Sequence, residues 1–212
     1  MRRLLILLLS GIVVGCNDQP ETCPKLWDFD HAQLSAYATA DSGKLVLEVM
    51  NAVSPNAVQL SQSELQGDFS LSISVEQMFW DSTITPQLRL EVFSEEDVSG
   101  VSVHPNIFYC YVGSTESENR DVRLMHDPTG VMHIQRLGDT LNCTGMFGDV
   151  EMSYSKVLHS NALDVRLVFG STELADGSIR VVLDDFHSLQ DLSGTSDEDL
   201  WVESDFFECK TW

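Results

Sequence analysis

Three carboxylates stand close together near the end of the sequence, in the run Glu203-Ser204-Asp205-Phe206-Phe207-Glu208. In an extended strand, residues two apart share a face, and a bulge can bring a third into line. Such a run can set two carboxyl groups across one glycosidic bond, and cleavage with retention needs a nucleophile and an acid/base about 5–5.5 Å apart. The plainer reading is an acidic, solvated strand end, because the run lies beside Cys209 and close to Trp212 in a chain rich in acids. A second set of residues suits binding rather than catalysis. Tyr109 and Tyr111 alternate on one strand side and offer ring faces to the C–H surfaces of sugars. Gln87, Arg89 and Glu91 alternate with Leu88, Leu90 and Val92, and Arg166 alternates with Val165 and Leu167. With the aliphatic residues turned to a core, the polar ones point outward, where guanidinium and carboxylate groups meet hydroxyls. The same reasoning turns Val122 and Leu124 inward and Arg123 outward, while Trp80 ends a strand just before Asp81-Ser82, where loops build rims.

Other chemistry is thinly represented. The sequence has no His-Glu-x-x-His, no Gly-x-Ser-x-Gly and no phosphate-cradling loop, and its histidines (His31, His104, His126, His133, His159 and His187) are scattered. Asp185 shares parity with Ile179, Val181 and Leu183, which puts a carboxylate on an apolar face. A carboxylate there needs a cation or an arginine. Structural calcium near Asp184 and Asp185 is one answer, although no Asp-x-Asp-x-Asp-Gly loop occurs.

The elements that would position these residues are short strands. Hydrophobic alternation of period two recurs over residues 44–49, 57–61, 68–78, 87–93, 106–112, 121–125, 131–137, 150–155, 162–169 and 178–189. Between them lie turn signals: Asp127-Pro128-Thr129-Gly130, Gly138-Asp139, Gly145 with Gly148, and Ala175-Asp176-Gly177-Ser178. Helical periodicity is hard to find. The pattern predicts an all-β chain, two antiparallel sheets packed as a β-sandwich, forming a single domain over residues 25–212.

The N-terminus reads as an export signal. Arg2 and Arg3 precede the apolar run Leu4-Leu5-Ile6-Leu7-Leu8-Leu9, and the small residue Gly15 stands just before Cys16. The run is short of the roughly 20 residues a membrane span requires. Val13-Val14-Gly15-Cys16 resembles the lipobox of bacterial lipoproteins, which implies cleavage after residue 15 and a lipid on Cys16. Residues 16–24 would then be a lipidated tether to a membrane, and Asn17 after the cysteine resembles an outer-membrane rather than inner-membrane address. Assigning Cys16 to lipid leaves Cys23, Cys110, Cys143 and Cys209, an even number suited to an oxidising compartment of the cell envelope. Of three pairings, Cys23 with Cys209 and Cys110 with Cys143 are expected. The formal charge is −21, and loss of Arg2 and Arg3 with the signal moves it to −23. So acidic a surface argues against nucleic acid and anionic lipid as partners. A monomer is expected.

Three stretches in order resemble the concanavalin A-like lectin/glucanase superfamily. Gly67-Asp68-Phe69-Ser70-Leu71-Ser72-Ile73 resembles an early strand of such domains. Val131-Met132-His133-Ile134-Gln135-Arg136-Leu137-Gly138-Asp139-Thr140-Leu141 resembles their strand, tight turn and strand unit. Gly177-Ser178-Ile179-Arg180-Val181-Val182-Leu183-Asp184-Asp185-Phe186-His187 resembles the closing strand. The resemblance implies a jelly-roll fold and a carbohydrate ligand. Within that superfamily the terminal acidic run is similar to the Glu-x-Asp-x-x-Glu signature of retaining glycosidases, which would make Glu203 the nucleophile, Asp205 the helper and Glu208 the acid/base. The signature normally lies mid-domain, so a non-catalytic binding module is the first expectation. A glycoside hydrolase and a structural or adhesive envelope lipoprotein are the alternatives.

Overall fold

The computed structural model describes residues 37–41, 44–55, 57–95, 97–114, 117–158, 162–191, 201–204 and 209–211. All regular structure there is β, and every pairing is antiparallel. No helix among these residues is long and apolar enough to cross a membrane.

One sheet has nine strands. Its main path runs β1 (Ala38–Asp41), β2 (Lys44–Val49), β15 (Ile179–Asp191), β5 (Phe69–Trp80), β10 (Gly130–Leu137), β11 (Thr140–Phe147) and β12 (Val150–Val157). Two short strands, β16 (Trp201–Ser204) and β17 (Cys209–Thr211), extend it beside the second half of β15. The other sheet has six strands in the order β4 (Val58–Gln66), β13 (Ala162–Ser171), β6 (Pro86–Phe93), β7 (Asp97–Val103), β8 (Ile107–Ser114) and β9 (Ser117–Leu124). A small ribbon pairs β3 (Ala52–Val53) with β14 (Ala175–Asp176).

Alternation explains why these segments pair and stack. Leu71 and Ile73 on β5, Met132 and Ile134 on β10, Leu88 and Leu90 on β6, and Leu163, Val165 and Leu167 on β13 are all buried in one core between the sheets. Each such aliphatic side chain contributes about 1.5–3 kcal/mol when fully buried. Phe108 of β8 meets Phe147 of β11 across the gap, with ring centroids 4.8 Å apart. Lys156 of β12 reaches the buried Asp97 of β7 and ties the two sheets together at one edge.

The ten predicted strands are present, and seven further strands lie outside the predicted ranges, of which β7 and β11 are the longest. β7 carries the small residues Ser99, Gly100 and Ser102, which weaken its alternation. β11 contains Gly145, which reads as a turn residue in the sequence. Here it is a packing residue: a Cβ would approach the Phe108 ring to 2.8 Å. The true turns are Gly138-Asp139 and Gly148-Asp149, where each glycine has φ near +59° and the aspartate does not have positive φ. That combination fits type II′ hairpin turns, which need glycine first.

Two expectations are corrected. Cys110 and Cys143 are free, buried thiols, not a disulfide. They lie on facing sheets, and the Cys110 Sγ donates to the Met152 carbonyl at 3.6 Å. Burial pushes the Cys110 thiol up to about 12, and Cys143 still higher. The expected Cys23–Cys209 bridge involves Cys23, which lies outside the described residues, as do Cys16 and the whole export signal.

Asp185 is not on the apolar face either, so no buried carboxylate at that position calls for a cation. A bulge between Asp184 and His187 sets Asp185 outward with φ 47°, and Phe186 takes the core position. The Asp184 carboxylate is met by Lys44 Nζ at 3.1 Å, and the same ammonium lies 2.5 Å from Glu76. The Asp185 amide and Lys44 hold the Asp184 carboxyl below its ordinary range, while Glu76 and Asp184 raise the Lys44 ammonium. No cluster of three or more metal-ligating side chains occurs among the described residues.

Candidate functional site

The six-stranded sheet turns one set of side chains outward, and cross-strand register arranges them in lines perpendicular to the strands. Arg166 of β13 pairs with Glu91 of β6, Glu91 with Gly100 of β7, Gly100 with Tyr111 of β8, and Tyr111 with Arg120 of β9. The adjacent line runs Val168, Arg89, Ser102, Tyr109 and Val122. Residues in one line share a face, so Arg89, Glu91, Tyr109, Tyr111 and Arg166 converge on one surface.

Glu91 is the centre of this surface. It is 1% exposed although it lies on the outer side of its sheet. Its Oε1 accepts from the Tyr111 hydroxyl and from Arg89 Nη1 at 2.9 Å, and its Oε2 accepts from Arg166 Nε. A carboxylate this buried is tolerated because both oxygens receive charge-assisted or phenolic hydrogen bonds. Burial, and then the Glu91 charge, keep the Tyr111 phenol well above its usual range, so it remains the donor.

Gly100 makes the Tyr111 contact possible. Tyr111 and Glu91 are two strands apart, with Gly100 directly between them. A Cβ at Gly100 would collide with the Leu90 carbonyl and come within 3.0 Å of the Tyr111 hydroxyl. Glycine therefore leaves the slot through which the phenol crosses β7.

Aromatic rings border the charged centre. The Arg166 guanidinium lies 4.5 Å from the centroid of Phe93. Tyr109 and Tyr111 rings are 5.8 Å apart, and His104 stacks on Tyr109 at 5.5 Å with 22° between the planes. The His104 Nε2 lies 3.1 Å from Ser102 Oγ and 3.4 Å from the Tyr109 hydroxyl. Gln87 lies on the same outer face, and its amide donates to the Ser171 carbonyl at 3.1 Å.

Gln87, Arg89, Glu91, Tyr109, Tyr111 and Arg166 are thus brought together as alternation predicts. Arg123 is not. It pairs in register with the core residue Phe108, so it lies on the opposite side of β9, 2.8 Å from Asp121. Val122 and Leu124 take the outward side instead, Leu124 at 76% exposure. β9 is an edge strand, and its apolar residues do not follow the core rule. Trp80 is also elsewhere: it belongs to β5 in the nine-stranded sheet and packs against the core. Glu203 lies in β16 of that same sheet, opposite Leu189, while Asp205 and Glu208 lie outside the described residues. Gly100, Ser102 and His104 were hidden to sequence reasoning because β7 was; the Val101, Val103 alternation is the signal that would have found it.

No family model matches this chain. No curated protein sequence matches it either. Solved structures do. The fold overlays on alginate lyase A1-II′ with TM-score 0.53 and 10% identity, covering 73% of this chain and 83% of that one. Another structure of that lyase, described as a member of polysaccharide lyase family 7, gives TM-score 0.50 and 10% identity over 72% and 82% of the two chains. A functionally unknown protein from Saccharomyces cerevisiae gives TM-score 0.52 and 9% identity over 72% and 91%. These likenesses establish the class of fold, a jelly-roll β-sandwich of the concanavalin A-like type.

Proposed function

We propose that the chain is a membrane-anchored lipoprotein of the cell envelope, held through lipid on Cys16, whose sandwich is a non-catalytic carbohydrate-binding module. The binding face is the outer side of the six-stranded sheet. The observation that carries this reading is the convergence of Arg89, Arg166, Tyr109 and Gln87 around a buried Glu91 that fixes both guanidiniums. Polar groups held in place lose little freedom on binding, and aromatic rings beside them suit sugar C–H faces. The overlaid polysaccharide lyase supports the reading at the level of fold.

A glycan array probed with the full chain in detergent tests the binding. Retention on a restricted set of glycans, lost with Tyr109→Ala, is expected; no retention on any glycan overturns the proposal. The anchor is tested separately by incorporation of labelled palmitate, which Cys16→Ser should abolish.

A further inference from the structure

Resting on the carbohydrate reading above, we infer that the ligand is an acidic saccharide, one whose sugar carboxylate is received by Arg166. Glu91 is unavailable to a ligand. It is 1% exposed, and its two oxygens are committed to Tyr111, Arg89 and Arg166. What the centre presents outward is guanidinium: the side chains of Arg89 and Arg166 are 21% and 27% exposed. Arg120 continues the same line in register, and Asp164 lies one line away on the same face.

The hydrogen bonding of Arg166 sharpens this. Glu91 engages its Nε, and the Phe93 ring lies against the guanidinium carbon, which fixes the plane of the group. Its two terminal nitrogens make no hydrogen bond to any described residue, and together they form a planar pair of donors. A carboxylate matches that pair with two parallel bonds, which a neutral hydroxyl cannot do.

The chain's charge supports the inference by contrast. With 33 acidic and 12 basic residues, the molecule as a whole repels anions. Two of its 12 basic residues, Arg89 and Arg166, stand side by side on one sheet face.

Titration calorimetry of the full chain in detergent tests this with uronic acid tetrasaccharides and the methyl esters of the same oligosaccharides. The expected result is that the acid form binds about tenfold or more tightly than its ester, and loses that advantage in Arg166→Gln. Raising salt from about 20 to about 200 mM should weaken the acid form alone. Equal or tighter binding of the esters overturns the acidic-ligand inference and leaves carbohydrate binding standing. Failure of acids, esters and the neutral glycans of the array together overturns the carbohydrate reading, and this inference with it.

Discussion

The two sheets of the sandwich present outer faces built on different principles. On the nine-stranded sheet, short polar residues line up across the strands: His187, Ser72, His133, Thr144 and Ser153 in one line, and Ser70, Gln135, Asn142 and Ser155 in the next. Their hydrogen bonds are pairwise, as between Ser70 and His133 at 2.9 Å or Thr144 and Ser153 at 3.1 Å. On the six-stranded sheet, long side chains interlock around Glu91 and bury it. The first arrangement is a solvated ladder in which each member is replaceable. The second is a network in which three donors share one acceptor, and such networks are costly when half satisfied. A sheet needs only the first to remain soluble, so the second calls for a functional explanation.

The contrast is broken most severely at its centre. Glu91→Ala leaves two partly buried guanidiniums and a buried phenol without their acceptor. A loss of about 3–5 kcal/mol is expected, read as a fall in the urea midpoint. A loss below about 1 kcal/mol would mean the network is decorative. Gly100→Ala comes next, because the added methyl group meets backbone oxygen, which cannot yield as a flexible side chain can. About 1–3 kcal/mol is expected, together with weaker glycan binding; unchanged stability would show that β7 moves aside freely.

The smallest effect belongs to the other face. Burial lowers the His133 pKa below its ordinary value. The unfolded chain therefore binds this proton more readily than the folded one. The His133 contribution to stability is complete above the unfolded value, near 6.5, and is lost as pH falls toward the lowered folded value. In His133→Asn, the part of the stability change between about pH 6.5 and 5 that this residue supplies should vanish. Glycan binding should not change. An unaltered pH profile would place the titration elsewhere.

Much of the site was legible in the sequence because β6, β8 and β13 alternate strictly. That alternation puts Gln87, Arg89, Glu91, Tyr109, Tyr111 and Arg166 outward with no knowledge of the fold. It could not reveal that Glu91 is buried, since burial depends on long neighbours from three strands and on the gap at Gly100. Nor could it foresee Arg123, because the inward-apolar rule presumes a covered strand and β9 is an edge. Asp185 was misplaced for a third reason: one extra residue in a bulge reverses parity beyond it. The carboxylates Asp205 and Glu208 lie outside the described residues. Their neighbour Glu203 is in the nine-stranded sheet, apart from the arginine network.

The most direct measurement of the central claim is a matched pair of titrations against one glycan retained on the array. Arg166→Met alters the six-stranded face and His133→Ala the nine-stranded face, with folding of both variants checked by urea midpoint. Affinity should fall about tenfold or more in Arg166→Met and stay within about twofold in His133→Ala. Equal affinity in Arg166→Met and the parent chain, or a loss confined to His133→Ala, would contradict the assignment of the binding face.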